Sequence, residues 1–322
     1  MFDWSFFLSN TLFLQHFYSS VVNFGMVMKI QFLLFLSIPL FFLSSCERAI
    51  EFKLEETTPK LVVEATIENG LPPVITLTKS LDYFSKINVG ILANSFVHNS
   101  EVYISNGTLT HKLKEYTVTV NGGYNYFYYS IDSSNLVTAF AGQLNKSYSL
   151  RIRWEGKEYY ATTHIPAITR HIDSVYWKNA PAGNPSEKVA VMLKVTDPPG
   201  YGDYIRYFTK RNNEPFYPGL SSVYDDQIID GTTYNAQVER GVDRNESHPE
   251  GYTYFNKGDT VTVKLCNIDK STFDFWRTME FTYSSVGNPF SSPTKVISNM
   301  SSGALGYFGG YAAQYRTLII PR

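Results

Sequence analysis

Few residues in this sequence have the type and spacing to do chemistry, and Cys46 stands first among them. Leu43-Ser-Ser-Cys46 has the form of a bacterial lipobox, in which the thiol is acylated and the chain is cut just before it. A cysteine suits that role because its thiolate is a strong nucleophile. The residues that must deliver it agree. Lys29 precedes an apolar block from Ile30 to Leu43, and a basic flank, an apolar core and a small-residue end make a secretory signal. The block falls short of the roughly 20 residues that span a bilayer. Residues 1–45 therefore read as a leader. Met28-Lys29 is the better start for such a signal, so residues 1–27 read as an over-extended start or a poorly positioned leader.

The second candidate is aromatic. Phe, Trp and Tyr make up 16% of the chain, and Tyr124-Asn-Tyr126-Phe-Tyr128-Tyr129 is the densest cluster. Tyrosine offers a large contact area at low entropic cost, so Tyr124, Tyr126, Tyr128 and Tyr129 are the candidate binding residues. Cross-strand packing would use the same residues. The remaining groups give weaker signals. Asp225, Asp226 and Asp230-Gly231 depart from the D-x-D-x-D-G spacing of a cation loop and read as a polar turn. The six histidines show no ligand spacing, and there is no CxxC pair or G-x-S-x-G elbow. No metal, cofactor or catalytic residue is indicated. A formal net charge of −1 gives no electrostatic case for nucleic acid.

The scaffold for these residues reads as β throughout. Residues 46–59 are charged and form a tether. Leu61, Val63, Ala65 and Ile67 then alternate with polar neighbours, as do Tyr148, Leu150, Ile152 and Trp154. Asn69-Gly70 and Glu155-Gly156 mark turns. Short strands with frequent turns predict an immunoglobulin-like antiparallel β-sandwich over 60–166. Pro166 marks a boundary, and 167–322 reads as a second β-rich domain. Within it Phe273, Trp276, Met279 and Tyr283 recur at helical spacing, which predicts one amphipathic helix near 270–283, with Ser271 and Asp274 in a capping arrangement. Glycines in Gly306-Tyr-Phe-Gly309-Gly310 lack phosphate-loop spacing and read as sites of close backbone approach. Cys266 reads as a small buried strand residue.

Several landmarks together resemble one family. They are the lipobox, Pro59-Lys-Leu-Val-Val-Glu64, His164-Ile-Pro166, Gly258-Asp-Thr-Val261, Phe275-Trp276, Ser298-Asn299 and Gly306-Tyr-Phe-Gly-Gly310. The chain is similar to Bacteroidetes lipoproteins of the domain-of-unknown-function 4249 family. It departs from them at Met300-Ser-Ser302, where a more glycine-rich run is usual. The resemblance implies an outer-membrane lipoprotein, on the periplasmic or cell-surface face, often found beside a TonB-dependent transporter, and it implies no catalytic residue. The expectation is an anchored accessory protein that binds a partner or ligand. Two rivals stay open: a cell-envelope hydrolase whose carboxylates converge only in the fold, and a purely structural envelope lipoprotein.

The lipobox gives the first prediction. Cells fed labelled palmitate are expected to label the wild-type protein and not Cys46→Ser, because stable anchoring takes two or more acyl chains. Label persisting in the variant would refute acylation at Cys46.

Overall fold

Leu61, Val63, Ala65 and Ile67 are each at most 1% exposed, all on one face of strand β1 (Leu61–Glu68). That alternation of buried and open positions recurs through the computed structural model, which describes residues 58–81, 88–119, 123–244, 251–288, 290–292 and 294–322. Cys46 and the tether up to residue 57 lie outside the described residues. The chain is mainly β, with large sheets and two helices among the described residues.

The first strands after β1 are β2 (Val74–Lys79), β3 (Glu101–Ser105), β4 (Thr110–Thr119), β5 (Asn125–Ile131), β6 (Lys146–Trp154) and β7 (Lys157–Ile165). A short helix α1 (Val89–Ser95) sits between β2 and β3. Strand β4 pairs with β3 through Thr110–Lys112 and with β5 through Leu113–Thr119. It thereby turns the sheet over on itself, as corner strands do where layers meet. Val102, Ile104, Leu150 and Ile152 from β3 and β6 then share a core with β1 and with Ile75 and Leu77 of β2. The β6–β7 hairpin turns at Glu155 (φ 47°) and Gly156 (φ 73°), the two positive values that a tight hairpin turn requires.

After Pro166 the chain changes sheet. Strands β8 (His171–Asn179), β9 (Lys188–Thr196), β12 (Thr233–Val238) and β13 (Phe255–Asn256) form a separate four-stranded sheet. By contrast β10 (Tyr204–Arg211), β11 (Tyr217–Tyr224), β14 (Thr260–Ile268) and β15 (Leu305–Ile319) extend the first sheet to eleven strands. Both sides of Pro166 thus share one sheet, and Thr57–Arg322 form one compact unit. The joining segment, expected from the sequence to be an open boundary, is pinned. Ile165 and Arg170 are fully buried, Gln314 accepts from the Ile172 N–H, and its amide donates to the Arg170 carbonyl.

Helix α2 (Lys270–Ser285) covers the opposite face of β10, β14 and β15. Its N-cap is Asp269, which accepts the Thr272 N–H at 2.8 Å, rather than the expected Ser271–Asp274 pair. Asp269 also accepts from the Thr163 hydroxyl and the His164 N–H, so one carboxylate fixes the helix start to β7. Thr272, Phe273 and Phe275 are buried, while Tyr283 of the expected stripe is 53% exposed.

Strand β15 runs unbroken through its glycines. Its glycines allow close approach. A Cβ on Gly310 would lie 2.6 Å from the His164 carbonyl oxygen. A Cβ on Gly306, whose φ is +93°, would lie 1.8 Å from the Val63 carbonyl oxygen. Gly306→Ala is therefore expected to lower the unfolding free energy by about 3 kcal/mol, combining backbone strain with overpacking. Urea denaturation checks this, and an unchanged midpoint would contradict the close β1–β15 contact.

Candidate functional site

The four tyrosines of the dense cluster lie on or just before β5, and the alternation of that strand divides them. Tyr129 points inward with Ile75 and is 3% exposed. Its hydroxyl donates to Glu115 at 2.9 Å, accepts from the Ser100 N–H, and lies 3.2 Å from the Val97 carbonyl oxygen. Burial is the main reason that this phenol is pushed up to about 12. Its side chain is a core residue and presents no face to a partner.

Tyr126 and Tyr128 point the other way. Tyr128 pairs in register with Tyr116 of β4, and their rings stack at 5.7 Å. Tyr126 stacks on Tyr128 at 6.3 Å and shares a hydrogen bond with the Thr76 hydroxyl on β2. Tyr124, 37% exposed, precedes the strand. The result is a half-buried row, Tyr116–Tyr128–Tyr126, on a sheet face next to exposed Val74 and Val118. Tyr116 is the member that sequence reading missed. Its signal was present in the alternation of Tyr116–Val120, but only strand register shows which tyrosine it meets.

The row continues inward as a polar seam along the same sheet face. Glu64 of β1 lies opposite Thr76 on one side and Tyr307 on the other. Glu64 keeps an open edge, although protein surrounds most of it, and this burial raises its carboxyl against the pull of the Arg206 guanidinium. Arg206 is 3% exposed. It donates to Ser222 and to the Tyr311 hydroxyl, and its guanidinium sits 3.4 Å over the Trp276 ring. Tyr311 and Tyr307 share a hydroxyl–hydroxyl contact of 3.2 Å. Beside them Lys264 pairs with Glu68, which also accepts from Tyr315. Cys266 is buried in β14, and desolvation first of all pushes its thiol up to about 12, so it is an inert strand residue.

Two other features lie in the C-terminal half. A cleft of about 600 Å³ opens between the four-stranded sheet and β10, with Leu193, Val195, Tyr207, Tyr224 and Tyr234 among its walls. At its rim the loop 225–231 carries Asp226 and Asp230, which meet Asp197 from the end of β9. Asp197 was not singled out in the sequence, because it lies 29 residues before Asp226 and only the fold joins them. These carboxylates do converge, as the hydrolase reading requires. However, Asp197 and Asp226 are 1% and 2% exposed and accept hydrogen bonds from Arg170 and from the Gly202 and Asp203 N–H groups.

These features define a mainly β protein built on one large folded sheet, with an aromatic row on its open face. The chain belongs to the family described as Domain of unknown function (DUF4249), whose model matches residues 47–317. No curated protein matches it.

The back of the aromatic row supplies a pH prediction. Burial opposes charge on Glu115, but hydrogen bonds from His98, the Asn99 N–H and Tyr129 outweigh it and hold the carboxyl below its ordinary value of 4.5. A carboxyl depressed in the folded state stabilises the fold above that value, and the contribution disappears as pH falls below it. Glu115→Gln is expected to cost about 1 kcal/mol at neutral pH and to flatten the acid limb of stability below pH 4.5. Urea unfolding from pH 7 down to pH 3 tests this. Equal loss of stability in both proteins across that range would contradict it.

Proposed function

We propose that this chain is a lipid-anchored outer-membrane accessory protein that binds a partner or ligand beside a TonB-dependent transporter. The observation that carries this reading is the stacked row Tyr116–Tyr128–Tyr126 on an open sheet face. Tyrosine rings with hydroxyls at the rim combine apolar contact area with polar edges, the composition of recognition surfaces. The net charge of −1 fits a protein contact better than a polyanion.

The remaining support comes from the N-terminal sequence. Acylation at Cys46 would confine the protein to one membrane surface and raise its effective concentration beside neighbours there. The charged tether, residues 46–59, has a reach on the order of 20 Å if flexible, enough to rest against an adjacent complex. Among the described residues no helix is long and apolar enough to cross a membrane.

Affinity purification in mild detergent, with in-cell cross-linking, tests the reading. The wild type is expected to recover a TonB-dependent transporter in near-stoichiometric amount. The double variant Tyr126→Ala/Tyr128→Ala should lose most of it while keeping a folded core, since both rings lie outside the buried set. Elution of the lipoprotein alone, with no transporter cross-linked in cells, would overturn the proposal.

A further inference from the structure

Asp197, Asp226 and Asp230 each bring one carboxylate oxygen to within 4.8 Å of the others. Like charges this close repel, and burial makes the repulsion larger. Asp203 adds a fourth carboxyl nearby. Its backbone N–H donates to Asp226 Oδ2, and its side chain accepts from the Thr169 hydroxyl. The cation that meets this group is Arg170, whose Nε donates to Asp197 Oδ1 at 2.6 Å with both side chains fully buried. One guanidinium on one oxygen does not balance the set.

Two buried oxygens point to what would. Asp197 Oδ2 has no hydrogen-bond donor although the residue is 1% exposed. Asn267 Oδ1, 1% exposed, also lacks a donor, and its amide joins the same region through Thr169 and Asp203. A buried anionic oxygen without a donor is costly and calls for a proton or a cation. Asp197 Oδ1 is already taken by the Arg170 guanidinium, which leaves Oδ2 open. A cation satisfies Oδ2 and relieves the repulsion together.

We propose that Asp197, Asp226 and Asp230 bind a calcium ion, with Asp197 Oδ2 as the buried ligand. The donor set is oxygen throughout, with no histidine or thiol, which selects a hard cation over zinc or copper. Calcium accepts irregular oxygen arrangements, whereas magnesium demands near-octahedral geometry. The ligands are held in advance. Asp226 Oδ2 accepts from the Gly202 and Asp203 N–H groups, and Asp230 Oδ1 accepts from the Gly200 N–H. A cavity of about 270 Å³ opens beside Tyr201, Tyr204 and Asp226. The bound ion clamps loop 225–231 to the Asp197-Pro-Pro-Gly200 turn. It thereby fixes Asp225, Ile228 and Ile229 along the 600 Å³ cleft.

The test uses the detergent-solubilised full chain stripped with EDTA. Terbium is titrated under tyrosine excitation, since Tyr201, Tyr204 and Tyr234 lie near the site. Saturable emission displaced by calcium, together with a melting temperature that rises with calcium concentration, is the expected result. Asp230→Asn keeps the acceptor to Gly200 and removes a charge, so it should weaken terbium affinity by at least about tenfold, the scale of loss seen at metal sites. The proposal is overturned by the absence of displaceable emission with identical melting in EDTA and in calcium. It is also overturned if Asp230→Asn and Asp226→Asn both bind as the wild type does, or if magnesium displaces terbium and calcium does not. Should both variants fail to fold, calorimetric titration of the wild type with calcium decides alone.

Discussion

Strand β15 pairs in parallel with β1 on one side and antiparallel with β14 on the other, and its 15 residues supply side chains to both of its faces. Phe308 and Ala312 complete the first core. Tyr307, Tyr311 and Ala313 form the floor beneath helix α2. Leu318, at the far end, packs on the core between the two sheets. A single strand near the C-terminus therefore closes a core built mainly from the first third of the described chain. The β1–β15 contacts are separated by most of the sequence, and long-range parallel pairing of this kind must meet its loop-closure cost before the cores form. The glycines at 306 and 310 follow from this geometry, because β1 on one side and the end of β7 on the other approach the strand backbone too closely for a side chain.

The two faces of β15 differ in chemistry. Toward the first core the neighbours are aliphatic: Leu61, Val63, Ala65, Leu150 and Ile152. Toward α2 they include Arg206, Lys264, Glu68 and Glu280, held among aromatic rings. Aromatic rings reconcile these charges with burial. Arg206 lies over Trp276 and Phe208, and Lys264 over Phe208, Tyr311 and Tyr315. The ring faces attract cations, and the phenol hydroxyls supply hydrogen bonds that a purely aliphatic layer would lack. The high aromatic content of the sequence thus serves two purposes: packing around buried charge under the helix, and a half-buried row at the far edge of the same sheet face.

Much of this architecture could be read from period-two alternation. Leu61–Glu68 and Lys146–Trp154 form strands across the alternating residues that predicted them, and the helix begins within a residue of its expected start. What escaped the sequence were properties of pairing. Tyr129 and Tyr128 are adjacent and chemically identical, yet one is core and the other open, because strand parity alone separates them. Glycine usually interrupts a strand, yet β15 runs through Gly306, Gly309 and Gly310. The paired backbones on either side instead keep β15 continuous. Asp197, Asp226 and Asp230 come together only because the end of β9, the start of β10 and the 225–231 loop meet at one corner.

That corner is also where the chain crosses from one sheet to the other, and the coincidence has a physical basis. A segment leaving a sheet loses its ladder partners, so its polar groups must be satisfied by side chains. Here Gln314 takes the backbone groups of Arg170 and Ile172, and the Arg170 side chain turns inward to Asp197 and the Asp203 carbonyl. An arginine committed in this way requires carboxylate nearby, and the turns that end β9 and β11 provide it in excess of one charge. The surplus of negative charge at the corner is therefore tied to the crossover: the anchoring of Arg170 fixes where Asp197 must stand, and Asp226 and Asp230 join it through the turns that hold the cleft rim in place.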